Sequence, residues 1–173
     1  MSRQFPSKPT AGTWSTPLNG LAGRLLVEFE DHSLVFLRYA IFLELMNHSF
    51  EVVAVTNQPQ VRTELRYPAG NPVAQSGMDI SGPAHPPQFG VIPREAYLGF
   101  RIDMQTVGAP AREYRKVLVA LGGKSWEVGI GTYTLNVSLS FTRDQHGPPN
   151  QWVGDLILPP VEIVVTAEML AII

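Results

Sequence analysis

Gly131-Thr132-Tyr133-Thr134-Leu135-Asn136-Val137-Ser138-Leu139-Ser140-Phe141 decides the fold. After a glycine start, five apolar side chains alternate with five small polar ones, and a period of two places every apolar group on one face of a strand. Downstream, the polar turn Arg143 to Asn150 leads into Trp152, Gly154 and Leu156, and Pro159-Pro160 precedes the β-branched run Val161-Glu162-Ile163-Val164-Val165. The end of the chain therefore reads as two to three antiparallel strands.

The same alternation recurs upstream. Arg24 to Glu30, Tyr39 to Met46, Val52 to Thr56, Val61 to Tyr67 and Ala96 to Asp103 all carry it, with Asn47-His48-Ser49 and Pro68-Ala69-Gly70-Asn71 as turns. Glu113 to Leu121 fits two templates. Tyr114, Val117, Leu118 and Leu121 have helical spacing, while Val117 and Val119 have period two; the strand is the preferred reading. Gly122-Gly123 closes this segment as a hairpin turn. The whole is an all-β, immunoglobulin-like antiparallel β-sandwich of about seven to nine strands with an extended N-terminal arm.

Composition divides the chain further. Residues 1–23 hold prolines and glycines without apolar periodicity and form the arm; residues 24–167 form the sandwich; residues 168–173 form an apolar tail. Within the sandwich, residues 71–93 are rich in Pro and Gly and read as a long surface loop. Such loops are uncommon in compact domains unless they bind something, and a tolerated insertion is the bland alternative.

The Gly131-Thr132-Tyr133 start and the valine-rich ending resemble the immunoglobulin-like sandwich modules common in bacterial proteins. That resemblance implies a corner role for Tyr133, its hydroxyl bonded back to the preceding loop and its ring closing the core. More narrowly, the Asn47-ended strand, the Gly70 turn after Glu64-Leu65-Arg66 and the late Gly-x-Tyr strand are similar to the BsuPI-type proteinase inhibitor family over Tyr39 to Phe141. The Pro-rich loop 71–93 and the ending from Trp152 to Val165 depart from that pattern.

Charge excludes one class of partner. With 13 Lys and Arg against 15 Asp and Glu, the net charge of −2 supplies no field for a phosphate backbone, so nucleic-acid binding is not expected. Only 16% of residues are charged and 45% are hydrophobic, which suits a chain that sits against a neighbour. No cysteine is present, so there is no disulfide and no thiolate chemistry. The N-terminus lacks the apolar run of an intact secretory signal, and the apolar stretch from Leu34 to Met46, broken by Arg38 and Glu44, is too short to span a membrane. The protein reads as soluble, its compartment open, with docking to a membrane complex left open.

The residues offer little for catalysis. His32, His48, His85 and His146 have no ligand-type spacing, and no metal or cofactor is expected. No nucleophile elbow or phosphate loop occurs. Glu28, Glu30, Glu44, Asp103 and Asp155 alternate with apolar residues as the solvated face of a sheet would. An enzyme would need a pocket where two or more of Asp79, His85, Arg101 and Asp103 converge. Trp14, Trp126 and Trp152 could form an aromatic platform for a sugar, although core packing is the commoner use.

The favoured expectation is a non-enzymatic structural or accessory subunit making protein–protein contacts in a larger assembly, with a protein partner or a second copy. The contact residues are then Phe5 and Trp14 on the arm, Met78, Ile80, His85 and Phe89 on the loop, and Met169, Leu170 and Ile172 on the tail. The alternative is a stand-alone binding module, protease-inhibitor-like or carbohydrate-binding.

Overall fold

The computed structural model describes residues 9–32, 36–78, 86–103 and 116–170. The strands are β1 (Thr10–Ala11), β2 (Leu21–His32), β3 (Phe36–Asn47), β4 (Val53–Thr56), β5 (Gln60–Arg66), β6 (Gly77–Met78), β7 (Phe89–Ile92), β8 (Tyr97–Arg101), β9 (Val117–Leu121), β10 (Lys124–Val128), β11 (Gly131–Phe141), β12 (Gly154–Ile157) and β13 (Val161–Val165). One helical turn, α1 (Ala167–Leu170), follows them. The described chain is all-β.

Two sheets enclose one core. The seven-stranded sheet runs β1-β2-β3-β9-β10-β6, with β8 also paired to β3, and the four-stranded sheet runs β12-β11-β13 with β5 on the other side of β11. A short third sheet pairs β4 with β7. Leu25, Ile41, Leu43, Val119 and Trp126 from the large sheet meet Leu65, Leu135, Leu139, Leu156 and Ile163 from the smaller one in a single buried cluster. The alternation quoted at the outset is what aims Tyr133, Leu135, Val137, Leu139 and Phe141 into it.

Thirteen described strands exceed the expected seven to nine because two long strands act as spines. One side of β11 carries β13 along Gly131 to Leu135 and then β12 along Ser138 to Phe141, while its other side carries β5. Likewise β3 pairs with β2 along its full length, with β8 from Phe42 to Met46, and with β9 in parallel at Arg38. Which neighbour meets which half of a spine is a tertiary matter.

The segment with two readings resolves as a strand over Val117–Leu121; residues 113–115 lie outside the described residues. All five side chains of β9 are buried, and a strand buried on both faces shows a continuous apolar run rather than alternation. That is why spacing alone matched a helix as well.

The arm and the loop boundaries differ from the expectation. Leu21, Ala22 and Gly23 belong to β2, not to the arm, and Leu21 and Ala22 are fully buried. The preceding Asn19-Gly20 pair, with φ of 47° and 79°, makes a two-residue hairpin turn closed by mutual Leu18 and Leu21 backbone bonds of 2.9 Å. The arm itself is pinned to its own domain: β1 pairs with β2, Gly12 N donates to Leu25 O at 2.8 Å, and Ser15 and Gly23 exchange bonds. In the long loop, β6 pairs with β10 and β7 pairs with β4, so both ends are stitched into sheets; residues 79–85 lie outside the described residues.

Candidate functional site

Four loops meet at one end of the sandwich, around Asn47. This residue is fully buried, and an amide has two donors and two acceptor lone pairs to satisfy there. Its Nδ2 donates to Glu51 O at 2.7 Å and Ile92 O at 3.0 Å, and its Oδ1 accepts from Ser49 N and Ser49 Oγ. Its backbone joins the β7–β8 turn through Ala96 O and Glu95 N. Glu95 is held there at φ 56°, a conformation that non-glycine residues seldom adopt. The neighbouring loops are tied in turn: His48 N donates to Gly20 O, Trp152 Nε1 to Asn19 O, and Asn150 Nδ2 to Val52 O.

This hydrogen-bonded platform presents apolar groups to solvent. Phe50 is 84% exposed, Val52 47%, Leu18 43% and Val153 41%. The Arg94 guanidinium stacks 4.6 Å above the Phe50 ring, an arrangement worth ~0.5–1 kcal/mol at exposed sites. None of these residues was among the expected contacts. The Asn19-Gly20 dipeptide between Leu18 and Leu21 was the available signal, since Asn-Gly marks a tight hairpin and would have placed Leu18 at a loop tip.

The expected contact residues fall elsewhere. Trp14 lies beneath the Arg24 guanidinium, 4.6 Å from ring to carbon, and is half-buried. Phe89 is half-buried in β7, opposite Thr56. The tail turns inward: Leu170 is 7% exposed and joins the domain's own core, and Met169 packs beside it with Sδ 3.9 Å from the Tyr39 hydroxyl. The backbone of Met78 pairs with Lys124. Phe5, Ile80, His85 and Ile172 lie outside the described residues.

Tyr133 is buried, and its hydroxyl donates to Gly129 O at 3.1 Å. Burial, reinforced by the nearby Tyr67, raises its pKa above the ordinary phenol value, and the Gly129 bond opposes the shift. Tyr39 is pushed up to about 12 by burial, with its bond to Val164 O acting the other way. The tryptophans do not share a surface, because Trp126 and Trp152 are in the core.

Three of the five carboxylates expected on a solvated face, Glu30, Glu44 and Asp103, are ion-paired. Arg24 and Glu44, which are cross-strand partners on β2 and β3, meet at 2.6 Å, as do Glu30 and Arg38 at 2.8 Å. Arg101 bonds both Glu30 and Asp103, at 3.1 and 2.6 Å. Its pKa rises further above the usual guanidinium range, chiefly through Asp103 and despite burial. The register sets opposite charges face to face, which a linear sequence does not display. Arg101 and Asp103 thus form an ion pair outside the cleft beside the β4–β7 pair; Asp79 and His85 lie outside the described residues.

Beside the β4–β7 pair lies a cleft of about 390 Å³ lined by Thr56, Gln58, Pro87 and residues 142–146. Its shape comes from the turn after β11: His146 N donates to Asp144 Oδ1, while Asp144 and Gln151 exchange bonds of 2.8 Å. At Gly147 a Cβ would come within 2.5 Å of the Phe89 ring and the Gln151 amide, so a larger residue would have to displace one of these side chains. Among the described residues, no three His, Asp or Glu side chains are grouped to hold a metal ion, and no helix is long and apolar enough to cross a membrane.

No protein-family model matches the chain, and neither a curated protein nor a solved structure is similar to it.

Proposed function

We propose that the protein is a non-enzymatic structural or accessory subunit that grips a protein neighbour with the apolar loop end of its sandwich. The observation that carries this reading is the set Leu18, Phe50, Val52 and Val153, all more than 40% exposed on loops locked together around a buried Asn47. Large apolar side chains on a rigid support suit an anchoring surface, because little conformational entropy is lost when they are covered. Phe50 under Arg94 adds the aromatic and arginine pairing common among residues that dominate interface energetics.

The test is light scattering of the full chain on a sizing column, combined with cross-linking in its native extract. Wild type should run above monomer mass or cross-link to one defined protein through residues 48–52 and 150–153. Phe50→Asp with Val153→Asp should lose that association while keeping its circular dichroism spectrum. Identical masses and cross-links in wild type and double variant would sink the reading.

A further inference from the structure

We infer that the cleft between β4 and the β11–β12 turn is a binding site for a small oxyanion, a phosphate ester or a carboxylate, independent of the apolar end. Its volume of about 390 Å³ lies within the ~300–1,000 Å³ typical of small-molecule sites, and its lining mixes polar and apolar surface in nearly equal parts. What distinguishes it is unspent hydrogen-bond donors.

Arginine on this protein is normally paired. Arg24, Arg38, Arg66, Arg94 and Arg101 each meet an acid within 4.0 Å, whereas Arg143 in the cleft, like Arg62 on β5 outside it, makes no ion pair among the described residues. Its guanidinium carries five donors in a planar fork that matches the two oxygens of a carboxylate or phosphate. The ring of His146 likewise has no hydrogen-bond partner among the described residues; only its backbone N is engaged. The Thr142 hydroxyl is also unpartnered among them. Thr56 Oγ1 accepts from Gln58 N, which leaves its own proton to give.

One acid lines the cleft, Asp144, and it works inward. Its Oδ1 accepts from His146 N, and both its backbone groups are bonded to the Gln151 amide. The donors therefore outnumber the acceptors, and a negatively charged oxygen ligand is the complement.

Amide-resolved NMR titration of the full chain with inorganic phosphate, with citrate and with uncharged glucose tests the inference. Phosphate or citrate should give saturable shifts at residues 56–58 and 142–147, and the tighter of the two identifies the ligand source. Arg143→Gln should weaken that binding about tenfold or more, the equivalent of ~1.4 kcal/mol, and Arg143→Lys should recover part of it. Arg62→Gln, which alters an arginine outside the cleft, should change nothing. Absence of saturable shifts with both anions, equal binding of glucose, or equal loss in the Arg62 and Arg143 variants would overturn the inference. Because none of these variants touches Phe50 or Val153, failure here leaves the apolar end to be judged by its own experiment.

Discussion

The amide nitrogen of Asn47 donates to the carbonyl of Ile92 at 3.0 Å, joining the end of β3 to the end of β7 across 45 residues of chain. The same nitrogen also holds Glu51 O, and the oxygen holds Ser49 twice. Asn47→Ala would leave the buried Ile92 carbonyl and the Ser49 backbone N–H without a partner, while the Ser49 hydroxyl keeps Glu51 O at 2.9 Å. Removing one partner of a buried bond costs ~1–3 kcal/mol, so the expected loss is about 2–4 kcal/mol in urea denaturation. Hydrogen exchange should speed up first at residues 48–52 and 93–96.

Tyr133 tests the corner. Tyr133→Phe removes the bond to Gly129 O and keeps the ring against the core, so a loss of ~0.5–1.5 kcal/mol is expected. The urea dependence should keep its slope, since the buried surface is unchanged. Tyr133→Ala should cost ~3–5 kcal/mol by opening a cavity.

Alkaline pH should destabilise the fold through Tyr39. Its pKa stands at about 12 in the folded protein against the ordinary phenol value of 10.0. Below the unfolded value both states hold the proton and the contribution to stability is complete. Between pH 10 and 12 the unfolded chain ionises first, so stability falls as pH rises. A phenolate absorbance titration should show a late-titrating tyrosine, and Tyr39→Phe should flatten the decline in melting temperature over that window.

Gly20 and Gly70 make a matched pair. Both have positive φ, 79° and 88°, so alanine at either site pays about 1–2 kcal/mol for the left-handed conformation. At Gly20 the added Cβ would also lie 2.6 Å from Ser49 Cβ and 3.1 Å from its Cα, whereas nothing lies within 4 Å at Gly70. Gly20→Ala should therefore lower the melting temperature distinctly more than Gly70→Ala, and should blunt any association that depends on Phe50.

The alternation from Gly131 to Phe141 was enough to specify a strand with one buried face, because period two is a property of the backbone and survives any tertiary context. Composition in the same way set a net charge of −2, which gives the chain no overall positive field. Other features were decided only in three dimensions. Val117–Leu121 became a strand because β3 and β10 flank it, and Leu170 turned inward because the core offered a place beside Met169 and the end of the sandwich. The apolar end and the polar cleft draw their residues from loops distant in sequence, so no local pattern announces them. Spacing along the chain encodes which way a side chain points from its own strand, and only the pairing of strands and loops determines what stands opposite it.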